Sequence, residues 1–267
     1  MTKLASILFA VAACGGSAKP TTTPTAPTAP AAPAAPAAPT ATELTTADQV
    51  MEASIAAEGG RAALAKLTSV KITGAFEITG IKGTLVTLTA PPRESLTTIE
   101  LPGLGKLVSG VHNDFAWEKN PIQGSRVITG PELANSLRDA TFNGDLVWKQ
   151  LFPKAELQGV VDFAGTKAYK LLLTDGNGQT ETRYIAKDTK LPLGVEMTAP
   201  SQMGKVPVSV TTTDYRDVNG LKFPFHIDNK AAGQSFTITV SNIELSAPID
   251  PKTFEVPDDI KALAAHK

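Results

Sequence analysis

The stretch SGVHND places Ser109, His112 and Asp114 side by side: a hydroxyl, an imidazole and a carboxylate, the three groups of a nucleophilic triad. A triad is defined by spatial roles, and neighbours on one strand or turn do not readily converge on one proton path. His112 and Asp114 could face one side of a strand as metal ligands, but two ligands do not make a site. The chain has 3 histidines. His226, between Phe225 and Ile227, reads as a surface or partly buried residue, and His266 lies in the tail. A single cysteine, Cys14, excludes an internal disulfide and a cysteine-based zinc site. No phosphate-binding glycine loop, dinucleotide fingerprint or zinc-protease helix motif is present. The expectation is therefore a protein that is not an enzyme and uses no cofactor and no metal, with hydrolase chemistry as a third reading.

Cys14 has the most telling context. Lys3 gives a positive start, and Leu4 to Ala13 is almost wholly apolar. A membrane-spanning helix needs ~20 residues, so this run is too short. Val11-Ala12-Ala13 stands directly before the cysteine. The stretch resembles a bacterial lipoprotein signal, in which the cysteine carries the lipid, palmitate included, and becomes the mature N-terminus. An ordinary secretory peptide with Cys14 incidental is the alternative. Acyl chains contribute about 0.8 kcal/mol per buried CH2, so two or three would hold the protein at a bilayer. Gly15 rather than Asp follows the cysteine, which by the resemblance implies the outer membrane, facing the periplasm. Residues 1–13 are thus expected to be the signal.

The elements that position everything else begin after a spacer. Pro24, Pro27, Pro30, Pro33, Pro36 and Pro39 recur every third residue, the period of polyproline II. Residues 14–44 read as a lipidated cysteine and a Pro/Ala/Thr-rich tether that cannot form a core. At ~3.1 Å per residue its reach from Lys19 to Leu44 is roughly 60–80 Å. An SH3-type ligand is the rival reading. With 25 basic and 26 acidic residues the chain carries no electrostatic footprint for nucleic acid.

The tether leads into a helix, TADQVMEASIAAEGG. Thr46 and Gln49 have capping-box spacing, Ala47, Val50, Met51 and Ile55 form the apolar stripe, and Gly59-Gly60 ends it. RAALAKLTSV is a second short helix or its continuation. From Val70 the period becomes two: Val70, Ile72, Phe76 and Ile78 share one face. Ten or eleven strand-like runs follow, many separated by turn signals such as TDGNGQ and DVNGLK. Such a series predicts an antiparallel meander that curls. GPELANSLRDATFNGDLVWKQLF interrupts it as a helical island. Pro131 suits a first helical turn, Leu133, Ala134, Leu137 and Ala140 form a stripe, and Asp145 could cap a second turn.

Three stretches carry a resemblance over Thr45 to Pro257: IAAEGGRAALAKLTSVKITGAFEI, TTDYRDVNGLKFPFHI and IELSAPIDPKTFEVP. Together they resemble the periplasmic lipoprotein-carrier superfamily, which includes outer-membrane lipoprotein-sorting proteins. The resemblance implies a mainly β fold with helices (α+β). It would be an incomplete antiparallel β-barrel (half-barrel) over residues 45–267, with an N-terminal helix and a mid-chain helical insertion covering the concave face.

A cavity for apolar ligands needs concave apolar surface with few polar groups. Phe115 and Trp117 share a strand face, and Phe142, Trp148, Leu151 and Phe152 sit in the insertion; plain core packing is the other role for each. LPGLGKLVSG alternates Leu with Gly, so Leu101 and Leu104 lie either on a cavity-rimming loop or in a buried hairpin turn. The candidate ligand-binding residues are Leu101, Leu104, Phe115, Trp117, Phe142 and Trp148. The reading is an outer-membrane-anchored periplasmic lipoprotein, a monomer, held to the membrane through lipid on Cys14. It would bind a lipid, acyl chain, lipoprotein or other hydrophobic small molecule. The alternative is a non-catalytic envelope scaffold or partner-binding module with a solid barrel core.

Overall fold

The computed structural model describes residues 43–202 and 204–265 of the chain. The signal, Cys14 and most of the tether lie outside the described residues. The domain opens with α1 (Ala47–Ala57), started as the sequence predicts: the Thr46 hydroxyl accepts from the Gln49 backbone N–H, and the Gln49 side chain reaches back. This satisfies two orphan donors of the first turn. Ala47, Val50, Met51 and Ile55 are buried. The helix stops at Gly59, whose φ of +123° suits glycine alone. A Cβ there would also lie 2.4 Å from the Leu221 side chain and 2.7 Å from the Gly220 carbonyl. The end of α1 is thereby pressed onto a hairpin far away in sequence. One more helical turn, α2 (Arg61–Leu64), leads to the sheet.

Among the described residues the sheet has 13 strands, all paired antiparallel, rather than ten or eleven. In chain order they are β1 (Val70–Ile78), β2 (Ile81–Ala90), β3 (Glu94–Leu101), β4 (Gly105–His112), β5 (Phe115–Asn120), β6 (Gly124–Val127), β7 (Lys154–Phe163), β8 (Thr166–Thr174), β9 (Thr180–Ala186), β10 (Pro192–Ser201), β11 (Gly204–Val218), β12 (Leu221–Ala231) and β13 (Gln234–Leu245). Tight turns join neighbours. Asn219 and Gly220, both at positive φ, make the β11–β12 turn that the sequence signals.

The spatial order is β6-β5-β4-β3-β2-β1-β13-β12-β11-β10-β9-β8-β7. Two meanders therefore meet where the first strand pairs with the last, and the sheet stays open. Its two edges, β6 and β7, are consecutive in sequence. The chain crosses from one to the other through α3 (Gly130–Ala140), a 3-10 turn (Gly144–Val147) and α4 (Trp148–Leu151). Helix α3 touches β4 and β5 on one arm and β10 on the other.

Side-chain alternation assigns the two faces. Val70, Ile72, Phe76 and Ile78 of β1 point to the main apolar core, which also takes Val50, Met51 and Ile55 of α1. A second, smaller apolar cluster joins Val111, Ala116 and Ile128 to Leu133, Leu137 and Ala140 around α3. On the outer face, a 3-10 turn at Pro251–Phe254 contacts β3 and β4, and α5 (Asp258–Ala265) contacts β6. Lys119 Nζ donates to Asp259 Oδ1 at 2.6 Å there. No helix of the described residues is long and apolar enough to cross a membrane.

Candidate functional site: a covered concave wall

The triad groups do not assemble. In the β3–β4–β5 register Ser109 lies opposite Thr97 and Glu118, on the inner face. His112 is on the outer face, and its Nδ1 lies 2.8 Å from Glu94 Oε2. Asp114 accepts instead from Arg93 Nη1 at 2.6 Å. Among the described residues no group of three or more His, Cys, Asp or Glu is placed to hold a metal ion.

The inner face holds two small cavities. The first, of about 50 Å3, lies under the insertion, among Leu64, Asp139, Leu146, Leu151, Phe152 and Met197. The second, of about 40 Å3, lies between α1 and strands β9–β12, among Met51, Ile55, Ile185, Val195, Val210 and Pro224. Asp145 and Arg183 line both. A wider hollow of about 520 Å3 opens on the outer face, among Thr182, Glu196, Thr198, Ser209 and Lys230. Its lining mixes these polar side chains with Met197, Pro207, Val208 and Ala231, and it is more open than the inner two.

Between the two inner cavities runs a buried ionic seam. Arg183 Nη1 donates to Asp145 Oδ1 at 2.8 Å and its Nε to Glu181 Oε1 at 2.5 Å. Arg138, on α3, donates to Asp175 at 2.9 Å and lies 3.2 Å from Asp139 and 3.8 Å from Glu181. Both guanidiniums stack over Phe152, each 5.2 Å from the ring centroid. Burial works against both charges, yet the surrounding carboxylates hold each arginine protonated beyond its ordinary range. Burial lifts Asp139 to about 6, and Arg138 only partly offsets it. Burial likewise pushes the Glu58 carboxyl up; it accepts from Ser54 Oγ at 3.2 Å. Asp145 is therefore no helix cap: the position before the 3-10 turn is Asn143, and the Asp145 carboxylate serves Arg183.

None of the six expected ligand residues lines either inner cavity. Leu101 is buried in the main core and Leu104 is exposed at the β3–β4 turn. Leu101–Gly110 is thus mostly two paired strands rather than a loop. Trp117 packs on Gly110, where a Cβ would come within 2.5 Å of the indole. That pair shares the outer face with Lys119, so Phe115 and Trp117 turn away from the cavities. Phe142 and Trp148 belong to the insertion and pack on the main core, while their neighbours Leu151 and Phe152 line the first cavity. Sequence reasoning missed Glu181 and Arg183. They alternate inward in step with Ile185, a signal readable only once the direction of Ile185 is known.

No protein-family model matches the chain, and no curated relative matches it. Solved structures do. A LolA superfamily protein from Nitrosomonas europaea matches at a TM-score of 0.54 and 16% identity, over 81% of this chain and 100% of the other. A DUF1329 family protein from Desulfovibrio piger matches at 0.54 and 13%, over 78% and 96%. The fold is LolA-like. A Vibrio parahaemolyticus domain described as an outer membrane lipoprotein-sorting protein shares this LolA-like fold at 0.53 and 12%, over 77% and 94%.

Proposed function

We propose that the protein is an envelope lipid carrier or acceptor, anchored to the outer membrane through Cys14 and facing the periplasm. It holds an acyl chain, lipid or lipoprotein against the concave face of its sheet. The observation that carries the reading is an apolar concave wall under a cover whose first part, α3, is held by ions as well as by a few apolar contacts, while its second part packs on the main core at Trp148 and Phe152. Of α3, only Ala140 is buried. Its other contacts include a small apolar cluster, the Arg138 pair with Asp175 and the Arg126–Glu132 pair at 2.6 Å to β6. Buried ion pairs add little net stability, because desolvation offsets their attraction. Helix α3 therefore separates from the wall more readily than the apolar end of the insertion at Trp148 and Phe152.

Ligand pockets hold ~300–1,000 Å3, so cavities of about 50 and 40 Å3 describe a closed state. Capture requires the insertion to move, joining the two cavities. Burial at about 25 cal/mol per Å2 then supplies affinity, and the tether raises the local concentration at a donor. The small size of the same cavities favours the second reading, a partner-binding envelope module with a filled interior.

Native mass spectrometry of the protein purified without detergent separates the two. Co-purifying lipid is the expected result. Delipidated protein that ignores a fluorescent fatty acid overturns the carrier reading and leaves the filled module.

A further inference from the structure

One transverse row of the concave wall can be followed residue by residue through the strand register. It runs Leu171, Arg183, Val195, Val210, Asn229, Phe236 and Ile78, each directly opposite the next. Two members are polar. Arg183 is fully engaged by Glu181 and Asp145. Asn229 is 1% exposed, and among the described residues both its Oδ1 and its Nδ2 lack a hydrogen-bond partner. Its neighbours are apolar: Val210 and Phe236 across the strands, and Ile227 on the same face of β12.

A buried amide with nothing to bond destabilises the fold, and an apolar residue of the same size would remove the penalty. No described residue bonds this side chain in the fold. Its position does suggest a use. Val195 and Val210 line the cavity beneath α1, and Asn229 follows them one strand further along the row, ~4.8 Å away. Widening that cavity by one strand spacing uncovers the amide.

We propose that Asn229 is the polar recognition residue of the concave wall and that it reads the polar head of a long-chain ligand. This rests on the carrier reading. A carboxamide offers a donor and an acceptor side by side. An un-ionised fatty carboxyl or a primary fatty amide satisfies both: its carbonyl accepts from Nδ2–H, and its O–H or N–H on the same side donates to Oδ1, whereas a trans secondary amide, with its two groups pointing apart, satisfies only one. An ester satisfies only the donor, and a plain hydrocarbon satisfies neither. The ligand class is therefore a long chain ending in a carboxamide or an un-ionised carboxyl, with apolar residues of the row against the chain and Asn229 at its head.

The test uses the full chain and Asn229→Leu, with displacement of an environment-sensitive fluorescent probe by three competitors of equal chain length: a primary fatty amide, a fatty methyl ester and a hydrocarbon. The native protein should prefer amide over hydrocarbon by roughly thirtyfold, the worth of two well-made hydrogen bonds, with the ester between. Asn229→Leu should bind all three alike, keep the hydrocarbon affinity, and melt higher. Should the leucine overfill its site, Asn229→Val serves for the same comparison. An unchanged order of affinities in the variant, or a lower melting temperature with that order unchanged, overturns the role of Asn229 alone. Failure of every competitor and of the probe to bind either protein overturns the carrier reading, and this inference with it.

Discussion

Arg183 Nη1 reaches Asp145 Oδ1 at 2.8 Å, and this ion pair ties the 3-10 turn of the helical crossing to strand β9 between the two inner cavities. Its geometry sets unequal costs for removing either partner. Arg183→Met leaves Glu181 and Asp145 facing each other without their shared guanidinium. Breaking a buried pair this way costs about 3–5 kcal/mol, and urea unfolding should show it. Asp145→Asn leaves Arg183 bonded to Glu181 at 2.5 Å and should cost less. It should also raise hydrogen exchange across residues 144–151 while the strands stay protected. Equal exchange in native and variant protein would show that the pair does not hold the crossing down.

Asp139 makes stability depend on pH in an unusual direction for a carboxylate. Burial raises it from 3.8 to about 6, with Arg138 pulling the other way. Between those values the folded chain holds a proton that the unfolded chain has released. Stability from this group is therefore highest at low pH, declines as pH rises through roughly 4 to 6, and is level above that. The loss is of order 2–3 kcal/mol. Asp139→Asn should abolish that decline. The difference in urea midpoint between native protein and variant, followed from pH 4.5 to 7.5, isolates Asp139 from Glu58, Glu181 and the arginines nearby. A constant difference across the range would contradict it.

Helix α1 was legible because its signals are local. Thr46, Gln49 and the stripe from Ala47 to Ile55 need no knowledge of the rest of the chain. The Asn219-Gly220 turn is equally local. The candidate site was not legible, for two physical reasons. The seam gathers Arg138, Asp145, Asp175, Glu181 and Arg183 from three separate segments, and on paper each looks like an ordinary solvated charge. The outer face of β5 is also covered, with Lys119 reaching α5. Trp117 is consequently buried on the side away from the cavities, and an apolar face no longer implies the concave one.

The capping box gives a simple measure of how far α1 depends on its own start. Thr46→Ala removes the acceptor for the Gln49 N–H, bonded at 3.2 Å. Such a loss costs about 1 kcal/mol. The unfolding midpoint should shift accordingly, and Thr46→Ser should restore it. A shift below a few tenths would mean that packing of Val50, Met51 and Ile55 alone fixes the helix.

The two tryptophans stand on opposite sides of the sheet, which makes them paired reporters of any ligand. Trp148 belongs to the insertion, is 2% exposed and donates to Glu52 Oε1 at 3.4 Å. Trp117 is locked against Gly110 on the outer face. If the insertion moves to admit an acyl chain, Trp148 changes its surroundings and Trp117 does not. Trp117→Phe should therefore keep a ligand-dependent shift in fluorescence, and Trp148→Phe should lose it. A shift that survives only in Trp148→Phe would move the binding surface to the outer face and reject the concave wall as the site.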